Sequence, residues 1–136
     1  MNVKIADVMA KRVVSAQPHH TVEHVRALLQ RNRIHAVPIV GPDDEALGIV
    51  TSADLASELK SGTPVRQFMT QDVRTVPAYN DASAAARAMR RHKIHHIVVT
   101  HEKRVVGIIS SFDLLKLVEG HRFVAKGAPT ASKRKR

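Results

Sequence analysis

The residues best suited to chemistry occur as a repeated pair, a hydroxyl followed three positions later by a carboxylate. Gly48-Ile49-Val50-Thr51-Ser52-Ala53-Asp54-Leu55 recurs as Gly107-Ile108-Ile109-Ser110-Ser111-Phe112-Asp113-Leu114. Each copy reads glycine, two β-branched residues, two hydroxyls, any residue, aspartate, leucine. A carboxylate can accept hydrogen bonds from two vicinal hydroxyls at once, and it discriminates against a ligand lacking one. A hydroxyl three residues earlier can donate to an anionic oxygen, beside the free amides of a helix N-terminus. The same residues suit folding equally well, with Thr51 and Ser110 as helix caps and Asp54 and Asp113 as acids in a first turn. One copy alone does not separate the two uses.

Other landmarks repeat in step. Met9, Val13 and Ile34-His35 return as Met69, Val73 and Ile94-His95, sixty positions on, whereas Gly48 and Gly107 are fifty-nine apart. The second copy therefore lacks one residue in a turn. Each unit is too small to bury a stable core alone, so the two must pack together and create paired clefts. The expected division is repeat one over 1–62, repeat two over 63–120 and a tail over 121–136. Ser61-Gly62-Thr63-Pro64 forms the link, because Gly62 can end a helix and Pro64 cannot continue one.

Within each repeat the periodicity alternates. Short helical turns at 7–9 and 66–69 precede extended segments at 13–16 and 73–76. A helix capped by Thr21 carries Val22, Val25, Leu28 and Leu29 on one stripe; its counterpart, capped by Asp81 or Asn80, carries Ala82, Ala85, Ala86 and Met89. Two β-branched runs follow, at 35–40 and 47–51, then 97–100 and 105–110. Ser52 and Ser111 are placed to cap final helices bearing Leu55 and Leu59, and Leu114, Leu115 and Val118. Each repeat thus reads β-α-β-β-α, an α/β (α+β) fold in two repeats.

Composition limits function. Of 136 residues, 43% are hydrophobic and 3% aromatic, so aliphatic side chains must build one compact domain or two half-domains sharing a core. Cysteine is absent, which excludes disulfides and thiolate chemistry and fits a cytoplasmic setting. No apolar run is long enough for a signal peptide or a membrane span. The net charge is +10, but the six bases after Glu119 leave +4 for residues 1–119. A flexible basic tail is expected, serving solubility or attraction to a nucleic acid or anionic surface.

The doubled strand–Gly–hydroxyl–Asp–helix unit resembles a tandem pair of cystathionine-β-synthase (CBS) domains, a Bateman module, over about residues 3–119. The resemblance implies two small sheets packed about a pseudo-twofold axis, with two clefts that bind an adenosine-containing ligand: AMP, ADP or ATP, or S-adenosylmethionine, NAD or a cyclic dinucleotide. It implies a regulatory sensor, stand-alone and homodimeric, that needs no cofactor and acts on a regulated protein the sequence does not name. Asp54 and Asp113 take the family's ribose role, and Thr51, Ser110, His35, His95 and His96 lie where phosphate is contacted. The base slot falls on Ser15, Ala16 and Val37 in repeat one and on Thr75, Val76, Pro77 and Ile97 in repeat two, unless these are ordinary core. Family members often carry a basic dipeptide such as His-Arg before the central strand; here it is His95-His96 in repeat two and His35-Ala36 in repeat one. The extra imidazole makes the Ser110–Asp113 cleft the expected phosphate site, with Lys93, Arg91 and Arg33 available to compensate for the missing arginine.

Nine histidines raise the question of a metal. His92, His95 and His96, and His19, His20 and His24, lie close in sequence, but no acidic or thiolate ligand accompanies them, so no metal site is expected. No nucleophile–base pair or phosphate loop points to an enzyme. The alternative is a structural or interaction protein with empty clefts, acting through its dimer surface or basic tail on nucleic acid or a partner protein.

Overall fold

Two helices set the frame, and each starts and stops for a local reason. The computed structural model describes residues 2–119, so the basic tail lies outside the described residues. A four-residue turn, α1 (Ile5–Val8), precedes α2 (Val22–Asn32), whose cap Thr21 accepts a hydrogen bond from the His24 amide at 3.3 Å. The second long helix, α3 (Ala82–His92), is capped by Asp81, which accepts from the Ser83 amide at 2.9 Å. That bond holds the Asp81 carboxyl below the usual carboxylate range. Both helices end on a left-handed residue, Arg33 (φ 54°) and Lys93 (φ 55°). Val22, Val25 and Leu29 on α2, and Ala82, Ala85 and Met89 on α3, are buried as the stripes require.

The strands form two sheets. In the first, β1 (Ala36–Val40) pairs antiparallel with β2 (Ala46–Thr51). In the second, β3 (Thr75–Pro77) lies parallel to β4 (His96–His101), which pairs antiparallel with β5 (Arg104–Ser110). The missing counterpart of β3 in the first sheet has a chemical cause. The Val98 amide donates to the Arg74 carbonyl at 3.1 Å, but the matching position on β1 is Pro38, which has no N–H to give. The early segment of repeat one is left with a single parallel bridge, Ala16 to Ile39.

The helix expected at the end of repeat one does not form. Asp54–Ala56 is one 3-10 turn, whereas α4 (Ser111–Glu119) in repeat two is a full helix. Repeat two supplies Leu114-Leu115-Lys116-Leu117-Val118, but repeat one supplies Leu55-Ala56-Ser57-Glu58-Leu59. The Ser57 hydroxyl donates to the Asp54 carbonyl at 3.1 Å, an alternative to helical bonding in a segment with fewer apolar anchors. Of the two serines read as caps for α4, it is Ser110 rather than Ser111 that receives the Asp113 amide.

The repeats exchange their leading segments. The amides of Ile5 and Ala6 donate to the carbonyls of Asn80 and Ala78, and Ala10 bridges to Ile108. Reciprocally, the Val65 amide donates to His20 and Thr70 bridges to Ile49. Ile5 and Val8 therefore belong to the core of Val76, Met89, Ile97, Val99 and Ile109, while Val65 joins Val25, Leu29, Val37, Ile39 and Val50. Instead of one shared core there are two, each completed by the other repeat. Each buried aliphatic anchor contributes about 1.5–3 kcal/mol to holding the halves together.

Candidate functional site

Just past the ends of β2 and β5 the aspartate turns back onto its own chain. Asp113 Oδ2 accepts from the Ser110 amide at 2.9 Å, and the Ser110 hydroxyl accepts from the Asp113 amide at 3.0 Å, a reciprocal cap. Asp54 Oδ2 accepts from the Thr51 amide at 2.8 Å and from the Thr51 hydroxyl at 3.2 Å. The folding use of these residues is therefore real in both copies. It occupies Oδ2 in each copy and leaves Oδ1 outside the cap, where that of Asp113 lies 3.7 Å from Lys116 Nζ. The copies differ in one proton: Thr51 gives its hydroxyl hydrogen to Asp54, whereas the Ser110 hydroxyl accepts and keeps its hydrogen to donate.

Two clefts meet at these strand ends. The first, of about 340 Å³, is lined by Ile49, Thr51, Ser52 and Ala53 of repeat one and by Asp72, Val73, Arg74 and Ile94 of repeat two. The second, of about 630 Å³, is lined by Ser110, Ser111, Phe112 and Asp113 and, from repeat one, Arg12, Val14, Arg33 and Ile34. Asp113 lines its cleft; Asp54 does not line the first. Both clefts share His35, His95 and His96. The extra imidazole of His96 thus fails to distinguish the clefts, contrary to the expectation from sequence, because the histidine stands where they adjoin.

The histidines are fixed in pairs. His35 Nδ1 lies 3.2 Å from the Ser52 hydroxyl, and His95 Nδ1 lies 3.3 Å from the Ser111 hydroxyl. His96 is half-buried, and burial lowers its pKa below the ordinary value of 6.5. His95 and His35 lower it further, while Asp113 opposes them. Above pH 6.5 this histidine is neutral folded or unfolded. As the pH falls through 6.5 toward the folded value, the unfolded chain takes up a proton that the folded one resists. Thermal stability is expected to fall between pH 7 and 5, and His96→Gln to flatten that fall. Melting curves across the range check this; a variant as pH-sensitive as the parent would contradict it. Asp81 and Glu23, both with depressed carboxyl pKa values, act at more acidic pH.

The side chains expected to hold a base lie elsewhere. Ala16 and Val37 are buried in one core, and Val76 and Ile97 in the other. Thr75 and Pro77 line a separate cavity with Tyr79 and His101, and the half-buried Ser15 lines neither cleft. The apolar lining comes instead from Val14 and Val73, and from Ile34 and Ile94 just before the central strands. Of the three compensating bases, only Arg33 lines a cleft. Arg12, Asp72 and Arg74 were missed; the repeat offset itself could have found them, since Arg12 aligns with Asp72 and Val14 with Arg74. His20 stacks on His24 with centroids 4.1 Å apart and His19 leans against His20 at 4.5 Å with its ring tilted by 51°, and among the described residues no group of three His, Asp or Glu could hold a metal ion.

Comparison with known proteins extends these observations. The CBS domain family model matches twice, over residues 5–61 and 65–120. The chain is 33% identical over 120 residues to inosine-5'-monophosphate dehydrogenase of Halobacterium salinarum, covering 84% of this chain and 24% of that protein. It spans about a quarter of the length of that relative. Among solved structures, the CBS domain pair of protein MJ0100 in complex with 5'-methylthioadenosine and S-adenosyl-L-methionine superposes with a TM-score of 0.82 at 26% identity, covering 88% of this chain and 98% of that one. The CBS domain of a CBS domain containing membrane protein from Sphaerobacter thermophilus gives 0.77 at 26% identity, covering 85% and 88%.

Proposed function

We propose, from the premise that this chain belongs to the CBS domain family as a tandem pair, that it is a regulatory module that binds an adenosine-containing ligand between its repeats. The observation that carries this reading is the cleft holding Asp113. There a carboxylate oxygen is left over from capping, a hydroxyl retains its proton, and imidazole and guanidinium groups face the same space. Those groups suit a ribose diol and a phosphate, and the related MJ0100 pair is described with two adenosyl compounds. At the first cleft Thr51 is the lining hydroxyl while Asp54 stays behind it as its hydrogen-bond partner, and His35, His95 and His96 serve both clefts.

Sensing requires that the ligand favour one arrangement of the repeats over another. The exchanged segments supply such a coupling, since Ala10 and Thr70 cross the same strands that end in the clefts. The function is regulatory rather than catalytic, and the regulated protein is a separate chain or domain. An adenosyl ligand should raise the melting temperature with dose, by about 2.7 kcal/mol of stabilisation at a hundred times its Kd. A flat response across AMP, ADP, ATP, NAD and S-adenosylmethionine would contradict the proposal.

The module is further proposed to be a homodimer through α4, where Phe112, Leu115 and Val118 are 77%, 55% and 52% exposed at helical spacing. Leu115→Lys should convert the dimer to a monomer in sedimentation, and an unchanged mass would contradict this interface.

A further inference from the structure

The two clefts differ in charge at positions that the repeat makes equivalent. Where the second cleft presents Arg12, the first presents Asp72, sixty residues on. The second cleft adds Arg33, while the counterpart of Arg33, Lys93, does not line the first. Asp113 is the one carboxylate lining the second cleft, and its Oδ1 lies 3.7 Å from Lys116 Nζ. In the first cleft the single guanidinium, Arg74, shares the space with Asp72. The hydroxyls differ in the same sense, with a donatable proton on Ser110 and a committed one on Thr51.

Resting on the adenosyl-binding reading above, we propose that the clefts sort ligands by charge. The second takes a phosphorylated adenosine nucleotide and the first an adenosyl compound without phosphate, with Arg12 and Asp72 as the discriminating residues. An AMP phosphate carries about −1.5 to −2 charge at pH 7 and is attracted by two guanidinium groups in one cleft. In the other it meets a carboxylate. Like charges a few ångströms apart in a solvated cleft weaken binding on the order of tenfold. Size agrees with charge, since the phosphate-accepting cleft is the larger, about 630 against 340 Å³.

The test is titration calorimetry of the full chain with AMP and, separately, uncharged adenosine, on the parent protein and on Arg12→Asp and Asp72→Arg. Arg12 and Asp72 are both exposed, and neither forms a salt bridge with another described residue, so the fold should tolerate both changes. The parent should bind one AMP per chain in the range where adenosine fills two sites. Asp72→Arg should raise the AMP stoichiometry to two and leave adenosine unchanged. Arg12→Asp should weaken AMP about tenfold, again sparing adenosine. Two equal AMP sites in the parent, or an AMP stoichiometry that stays at one in Asp72→Arg, would overturn charge sorting while leaving adenosyl binding intact. Binding of neither probe by any of the three proteins would overturn both.

Discussion

Asp113→Ala is expected to cost the second cleft at least a hundredfold in AMP affinity, with a smaller loss of about 0.5–2 kcal/mol in stability. The binding loss comes from Oδ1. Two hydrogen bonds from a ribose diol to an ionised carboxylate are worth about 1.5–3 kcal/mol each. The stability loss comes from Oδ2, which receives the Ser110 amide and completes the reciprocal cap that starts α4. Calorimetry with AMP and 2'-deoxy-AMP separates the two roles. In the parent protein the deoxy ligand should bind more weakly; in Asp113→Ala the two should bind alike. A variant that weakens both ligands equally but keeps their ratio would show that Asp113 acts only by shaping the fold.

Gly107→Ala is expected to destabilise the protein by about 1–3 kcal/mol, a large share of the stability of a domain this size. The glycine is required by the crossing of two backbones. A Cβ there would stand 2.7 Å from Met9 Sδ and 2.8 Å from the Ala10 carbonyl oxygen. The thioether can swing aside; the carbonyl cannot, because its residue is hydrogen-bonded to Ile108. Gly48 meets Met69 and Thr70 at the same distances. Denaturant unfolding of Gly107→Ala and of Gly107→Ala combined with Met9→Ala checks the reasoning. The second change should not restore stability, since the carbonyl remains. Parent-like stability in Gly107→Ala would contradict the crossing.

The same crossing explains why some of the fold was legible in the sequence and some was not. Met9 and Met69, Gly48 and Gly107 stood out as landmarks because each methionine lies over the other repeat's glycine. Their partnership was invisible, since nothing in the order of residues says which glycine a methionine meets. Thr21 and Asp81 were readable because a cap is a contact between near neighbours, and the stripes of α2 and α3 because helical periodicity marks a buried face. The final helix of repeat one was overread from the leucines at positions 55 and 59. The exposed Ser57 bonds back to the Asp54 carbonyl there instead, and of the two leucines only Leu55 packs on the core. Pro38 carried a signal that was passed over, since a residue without an N–H on a central strand cannot hold a parallel neighbour at that point.

At the site, the hydroxyl–aspartate pairs were legible because they recur. Val37 and Ile97, named for a base slot or for ordinary core, sit in the two cores, on central strands buried on both faces. Arg12 and Asp72 carried no local motif; the repeat offset pairs them, and the clefts set each beside the other repeat's strand end.

Co-crystallisation with AMP is the most direct test of adenosyl binding between the repeats. The expected density is a nucleotide in the second cleft, both ribose hydroxyls within hydrogen-bonding distance of Asp113 Oδ1 and the phosphate facing Arg12 and Ser110. A nucleotide bound outside both clefts, or clefts empty at saturating AMP, would contradict it.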